Sequence, residues 1–411
     1  MNSRLFLLML TSVCFSMIQP KDNTPWKLLF VNALWRHGDR AAYGPLFGGI
    51  DKAKEENWKS GGGGYAELTN VGMSEHFRLG RQLRARYIDS GFLAKRYRAN
   101  EIYVRATDTN RTLNSAYANL AGMYSTTQDN VPGSDYPSDP SWPTGWVPIP
   151  VHTVFNPTDH EANPDAKCPR LYQLMNLVFG SPEATNYTKQ QNVAETLEYL
   201  SNHTNREIHF NDIYKFNDTM HIEFDHFCDI RNTGDNSANI SECFEYLDGY
   251  GNPNGVNGVD VALELRKIRG GETIKLIRTY AEGVITCFRN ASNPDCKPFY
   301  SKLKYFAISA HDSTINAFLS ILGPRLDLVK YGIPDYASAV ISEFYSNSGS
   351  GDIFMKFFYH SGDKDDFTDV TKLIQGCPAD QEYCPMSAFT ALADHYDPGD
   401  IDKLCNTNIA Q

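Results

Sequence analysis

The run Arg36-His37-Gly38-Asp39-Arg40 sets an imidazole between guanidinium groups at the mouth of an apolar stretch, Leu28-Leu29-Phe30-Val31. Neighbouring cations disfavour the charged form of a histidine, so this imidazole stays neutral and nucleophilic. Guanidinium forks match the oxygens of a phosphate. The pentapeptide reads as a nucleophile within an oxyanion clamp. Two further apolar runs supply what it lacks: Ile102-Tyr103-Val104 leads into Arg105, and Tyr305-Phe306-Ala307-Ile308 leads through Ser309-Ala310 to His311-Asp312.

Together these groups suffice for phosphoryl transfer through an enzyme intermediate. His37 attacks phosphorus. Arg36, Arg40 and Arg105 hold the equatorial oxygens, and His311 donates to the same oxygens. Asp312 protonates the leaving oxygen and then takes a proton from the attacking water. An acid that must start protonated favours activity at low pH. Each residue alone has a plainer reading: a structural histidine, surface ion pairs for Arg40 and Arg105, and a metal-binding pair or helix cap for His311-Asp312. Their joint occurrence at three strand ends carries the chemical reading.

Those strand ends need a scaffold. The apolar runs have the length of buried strands, and periodic helical segments follow each of them. A helix is expected from Thr69, with Leu79, Leu83 and Tyr87 on one face and Arg78, Arg81, Arg84 and Arg86 as a solvated surface. A second follows Thr107-Asp108-Thr109-Asn110, and a third follows His311-Asp312 and stops at Gly323-Pro324. Ile149 to Val154 reads as an edge strand, Val261 to Phe288 as a helix interrupted at Gly270-Gly271, and Val340–Tyr345 with Ile353–Tyr359 as a hairpin. Gly61 to Gly64 is not followed by Lys-Ser or Lys-Thr, so it is no P-loop and reads as a flexible linker. The pattern predicts an α/β fold, a mostly parallel sheet flanked by helices on both faces. Ligands of such sheets bind beyond the carboxyl ends of the strands. Residues 156–259 are polar and Asn-rich with helix-like pieces, and are expected to be a mainly helical cap inserted between the two parts of the catalytic domain, 26–155 and 260–405.

The chain of 411 residues carries a net charge of −11, which argues against nucleic-acid binding and leaves a local cationic pocket to attract any anion. Arg4 and the apolar stretch Leu5–Phe15 predict a secretory signal over residues 1–16, and no later stretch is long and apolar enough to span a bilayer. Eight cysteines remain beyond it, an even number that predicts disulfides in an oxidising compartment. Cys287/Cys296 and Cys377/Cys384 are natural local pairs across turn-rich sequence; no C-x-x-C occurs, so a metal cluster is not expected. Sequons at Asn110, Asn186, Asn202, Asn217, Asn239 and Asn290 fit secretion, the last five being the expected glycosylation sites.

With Arg36 to Arg40 as R-H-G-x-R, Arg105-Ala106-Thr107-Asp108 followed by Arg111-Thr112, and Ser309-Ala310-His311-Asp312, the chain resembles the histidine acid phosphatases, the branch of the histidine phosphatase superfamily that includes prostatic and lysosomal acid phosphatases. Ile149 to Thr153, Cys168-Pro169-Arg170 and Tyr336-Ala337-Ser338 are weaker echoes, and the similarity runs from about Lys27 to Cys405. The resemblance implies His37 as nucleophile, Asp312 as proton donor, and Arg36, Arg40, Arg105 and His311 as phosphate ligands, with small phosphate monoesters as substrates and no cofactor. It implies the pairs Cys168–Cys405 and Cys377–Cys384, leaving Cys228–Cys243 and Cys287–Cys296 for the rest; Ala339 stands where some relatives have a Cys. It further implies a homodimer, secreted or in a lysosome-like lumen; the C-terminal span of membrane-anchored relatives is missing here, so a form without a membrane span is expected. A phytase-like enzyme uses the same catalytic residues with a more basic pocket. An inactive secreted glycoprotein that binds a phospho-ligand is the non-enzyme alternative. A metallohydrolase built on His221, Asp225, His226, Cys228 and Asp229 is disfavoured by spacing, and a serine hydrolase by the lack of G-x-S-x-G.

Overall fold

The computed structural model describes residues 25–44, 54–213, 218, 222, 259–329, 333–362, 364 and 366–409. The expected signal segment, Asn217, Asn239, Cys228, Cys243 and the His221–Asp229 group lie outside the described residues.

Eight strands form one mixed sheet in the order β3-β2-β4-β1-β5-β6-β7, with β8 on β6. They are β1 (Trp26–Arg36), β2 (Ile102–Thr107), β3 (His152–Val154), β4 (Tyr305–Ala310), β5 (Ala339–Asn347), β6 (Ile353–His360), β7 (Thr368–Asp369) and β8 (Cys384–Pro385). The first four run parallel, and β5 to β8 pair antiparallel. The expected hairpin is β5–β6, and β3 is an edge strand. Both halves obey one burial rule. β4 is buried at every position because helices cover both faces of the sheet, as parallel strands require. Leu34, Phe306 and Ile308 pack beneath Ile274, Ile277 and Phe318 on one face. Val31, Ala33, Trp35 and Ala307 pack beneath Leu79, Leu83 and Leu120 on the other.

Helices α1 (Asn70–Leu83) and α2 (Asn110–Tyr124) cover the second face. The Thr69 side chain caps α1 by accepting from the Gly72 N–H. Beyond it come α3 (Pro169–Phe179), α4 (Pro182–Thr188) and α5 (Gln191–Thr204). Then α6 (Val261–Arg266) passes through a π turn, Lys267–Gly271, into α7 (Glu272–Arg289). The expected interruption at Gly270-Gly271 is thus a wide turn within a continuing helix. It lies where a Cβ on Gly271 would stand 2.3 Å from the Tyr396 carbonyl oxygen. Helix α8 (Asp312–Leu322) follows β4 directly.

Two local expectations are corrected. Gly61 to Gly64 all have positive φ around a tight turn, and a Cβ on Gly61 would meet the Leu68 carbonyl oxygen at 2.1 Å. The run is a built corner rather than a linker. Of the four arginines following Thr69, Arg84 is buried and paired with Asp129 and Asp89, and Arg86 pairs with the buried Glu343. Only Arg78 and Arg81 face solvent as expected.

Disulfides join Cys168–Cys405, Cys287–Cys296 and Cys377–Cys384. The first ties the start of α3 to the C-terminal helix, Ile401–Cys405. The sequon residues Asn186, Asn202 and Asn290 are exposed.

Gly38 and Gly72 press backbone on backbone: a Cβ on Gly38 would lie 2.4 Å from the Gly72 carbonyl oxygen, and one on Gly72 would lie 2.2 Å from that of Asp39. This contact seats the loop after β1 on the first turn of α1. Gly38→Ala is expected to destabilise the fold by about 1–3 kcal/mol, the cost of overpacking. A urea unfolding midpoint equal to that of the parent protein would contradict it.

Candidate active site

The sheet order brings β2, β4 and β1 side by side, with Arg36 opposite Ala310 and Arg105 opposite Ile308. His37 and His311 therefore emerge together from adjacent parallel strands, and their ring centroids are 5.6 Å apart. The His37 backbone N–H donates to the Ala310 carbonyl at 2.9 Å, locking the two strand ends together.

Within the loop, the His37 Nδ1–H donates to the Gly38 carbonyl at 2.8 Å. In the neutral ring that leaves the lone pair on Nε2. Burial is the largest influence on this imidazole and holds its pKa well below the ordinary histidine value; Arg111, Arg36 and Arg40 add to the depression. Neutrality of His37 thus comes from desolvation first and from guanidinium neighbours second.

Three guanidiniums surround it. Arg36 lies 3.3 Å from Asp312, stacks on Tyr336 at 4.1 Å and donates to the Pro334 carbonyl. Arg40 is fully buried, donates to both oxygens of Asp218 at 2.8 and 3.0 Å, and lies 3.9 Å over Tyr43. Arg111, from the first turn of α2, reaches the Tyr43 hydroxyl at 3.1 Å and His311 Nδ1 at 3.3 Å. A guanidinium only donates, so Nδ1 of His311 accepts. Its Nε2–H then donates to Thr107 Oγ1 at 2.9 Å, and Thr107 passes its own proton toward Thr112 at 3.0 Å. Burial, followed by Arg111, lowers the His311 pKa to about 3. Burial pushes the Asp312 carboxyl up, but Arg36, Arg40 and His311 outweigh it and hold it below the usual carboxylate value.

Arg105 is arranged differently from expectation. Its side chain turns to the face of the sheet covered by α7, where Asp159 accepts at 2.5 Å and Glu161 also accepts. It is not among the strongest charges acting on His37, whereas Arg111 heads that group. The structure thus gathers His37, Arg36, Arg40, His311 and Asp312 as expected, engages Arg105 with two carboxylates, and adds Arg111, Tyr43, Asp218 and Tyr336. Arg111-Thr112 was visible as part of the second arginine block. That Arg111 faces the histidines depends on how α2 leaves β2, which spacing alone does not fix. Among the described residues no group of three or more His, Cys, Asp or Glu side chains is placed to hold a metal ion.

Beneath the site the buried His76 donates Nε2–H to the Arg36 carbonyl at 2.9 Å, supporting the strand end from α1.

Residues 27–360 match the model of the histidine phosphatase superfamily, branch 2. The chain belongs to this superfamily and is a phosphatase. It is 32% identical to "Putative acid phosphatase 10" of Caenorhabditis elegans over 92% of this chain and 94% of that protein. It is 30% identical to the lysosomal acid phosphatase of Homo sapiens over 92% of this chain and 80% of that one. Among solved structures, the phytase from Citrobacter braakii superposes with a TM-score of 0.62 at 15% identity, covering 93% of this chain and all of the phytase; this likeness concerns the fold.

His76 supplies a test of the burial electrostatics. Burial drops its pKa to about 3, against the pull of its hydrogen bond to Arg36. Unfolded, it regains the ordinary value and binds a proton below about pH 6.5. Its contribution to stability is therefore complete above about pH 6.5 and lost as pH falls toward 3. His76→Gln is expected to flatten the fall of unfolding free energy over that range by up to about 1.4 kcal/mol per pH unit. Denaturant unfolding at pH 4, 5 and 7 measures it; identical slopes in the two proteins would refute the assignment.

Proposed function

We propose that the protein is an acid phosphatase that hydrolyses small phosphate monoesters through a phosphohistidine on His37, with Asp312 as general acid. The observation that carries the reading is the His37 ring itself: Nδ1 tied to Gly38, Nε2 carrying the lone pair, three guanidiniums around it and a carboxyl beside Arg36.

The steps follow from charge. A phosphate group entering among Arg36, Arg40 and Arg111 gives each guanidinium an anionic partner. Arg111 takes the part that the sequence suggested for Arg105. Nε2 of His37 attacks phosphorus, the P–O bond to the alcohol breaks, and the arginines offset the charge on the equatorial oxygens. Asp312 gives its proton to the leaving oxygen, then accepts one from the water that attacks phosphohistidine. With no anion bound, Arg36 and Arg40 keep Asp312 ionised. A bound phosphate competes for those cations and restores the carboxyl's affinity for a proton. At acid pH the substrate enters as a monoanion and brings that proton with it. His311, held as a neutral acceptor by Thr107, orients Arg111 rather than donating to phosphate.

The three disulfides favour an oxidising compartment. With the lysosomal relative, they support the reading of residues 1–16 as a signal and of the protein as secreted or lumenal, glycosylated at Asn186, Asn202 and Asn290. No helix among the described residues is long and apolar enough to cross a membrane. Residues 156–259, including α3 to α5, are the proposed cap, and a homodimer is the proposed assembly. The phytase-like alternative draws on the fold of the bacterial phytase; Asp218 on Arg40 and the carboxylates on Arg105 favour substrates with a single phosphate.

His37→Ala is expected to lose at least about 1000-fold in kcat/KM on 4-nitrophenyl phosphate at acid pH, with no acid-quenched phosphohistidine. Turnover by this variant at parental rates would remove the covalent route. For Arg111→Gln, the inhibition constant of inorganic phosphate should rise about 10–100-fold, the worth of charged hydrogen bonds. Loss of that cation also relieves the depression of the His37 pKa, so the acidic limb of kcat/KM moves to higher pH. An unchanged phosphate affinity and an unmoved limb would return the role to Arg105.

A further inference from the structure

We infer that Arg105 is a positioning residue for the general acid, acting through the 159–162 turn on the first turn of α8; this rests on the reading of Asp312 as the acid. Four hydrogen bonds make the connection. Arg105 Nη2 donates to Asp159 Oδ1 at 2.5 Å. The same oxygen accepts the Ala162 backbone N–H at 3.2 Å, closing the turn. The Ala162 carbonyl accepts from Thr314 Oγ1 at 2.9 Å. Thr314 Oγ1 in turn accepts the His311 backbone N–H at 3.3 Å, which fixes the N-terminal turn of α8 that presents Asp312.

Every member of this chain except Glu161, which takes the other guanidinium nitrogen, is buried. Thr273 on α7 donates to the Glu161 carbonyl at 2.8 Å and holds the turn from outside. Arg105 meanwhile sits in β2 directly beside Ile308 of β4. The guanidinium is thus fixed to the sheet at one end and to the turn at the other. Asp312 Oδ1 accepts the Ser313 N–H at 2.7 Å, and Oδ2 faces Arg36. The carboxyl's direction therefore follows the direction of the helix turn. A rotation of that turn displaces the proton donor, while Arg36 keeps the Pro334 carbonyl and the Tyr336 face, Arg40 keeps Asp218, and Arg111 keeps the Tyr43 hydroxyl.

A phosphate ligand and a positioning residue give different kinetics. Loss of a ligand weakens phosphate binding and slows all esters alike. Misplacement of the acid spares phosphate affinity and slows esters whose alcohol needs a proton. The charge-neutral double variant Arg105→Gln/Asp159→Asn removes the first link without stranding a buried carboxylate. Thr314→Val cuts the chain nearer the helix and stands in if the double variant does not fold. Asp312→Asn is the reference, and kcat/KM is measured on 4-nitrophenyl phosphate and on glycerol 2-phosphate, with inorganic phosphate as competitive inhibitor. For both chain variants the ratio of glycerol 2-phosphate to 4-nitrophenyl phosphate is expected to fall about tenfold, in the direction set by Asp312→Asn, with the phosphate inhibition constant within about twofold of the parent. A tenfold weaker phosphate affinity with equal loss on both esters overturns the inference and makes Arg105 a ligand. Discrimination by Asp312→Asn without any in the chain variants overturns it alone. Absence of discrimination in Asp312→Asn removes the acid assignment, and this inference with it.

Discussion

The constraint on which the molecule turns is a cluster of cations kept out of water. Arg36, Arg40 and Arg111 converge on a buried, neutral imidazole. Guanidiniums desolvated together would repel one another and lose hydration worth several kcal/mol each. The fold answers with two kinds of partner. Asp312 and Asp218 supply negative charge, and the faces of Tyr336 and Tyr43 supply π density that a flat cation covers without surrendering all its hydrogen bonds. In the proposed reaction a phosphate exchanges carboxylate contacts for its own oxygens and supplies the negative charge that two carboxylates leave wanting beside three guanidiniums.

Rigidity is built under this cluster from backbone rather than side chains. β1 and β4 run parallel in register to their last residues, and the loop after β1 has its glycine against a glycine of α1. The His37 ring is tied to the very next carbonyl, so its tautomer is set by the loop that carries it. On the opposite strand a hydroxyl pair, Thr107 and Thr112, does the same for His311. Both histidines are thereby committed to one proton arrangement before any ligand arrives, which removes reorganisation from the reaction.

The parts of this design that are local in sequence were legible there. β1, β2 and β4 are apolar runs because helices bury both their faces, and the chemistry follows each run within a few residues. Thr69 and Gly323 end helices by the ordinary rules of caps, and both were readable. The hairpin of β5 and β6 was equally plain. What escaped was set by rotation and distance. Arg105 follows Tyr103 by two residues, so strand alternation sends both to the α7 side, where Tyr103 packs against Tyr280. Its carboxylate partners come more than fifty residues later, and nothing near Arg105 announces them. Asp218 lies 178 residues from the arginine it holds. The two-residue strands β7 and β8 are too short to carry any pattern. Arg84 and Arg86 looked like a wet helix face because their partners, Asp129 and Glu343, belong to distant segments.

The Cys168–Cys405 bridge divides the chemistry in an uneven way. It closes a ring of chain spanning a sequence separation of 237, with His311 and Asp312 inside and His37, Arg40 and Arg111 outside. A protease that severs a single peptide bond anywhere within that ring leaves the pieces joined through sulfur, Asp312 still tethered to the half that carries His37. Cleavage before residue 168 releases the N-terminal portion with no covalent hold on the rest. In a compartment rich in proteases, the molecule tolerates nicks over most of its length and is vulnerable over the stretch that carries His37.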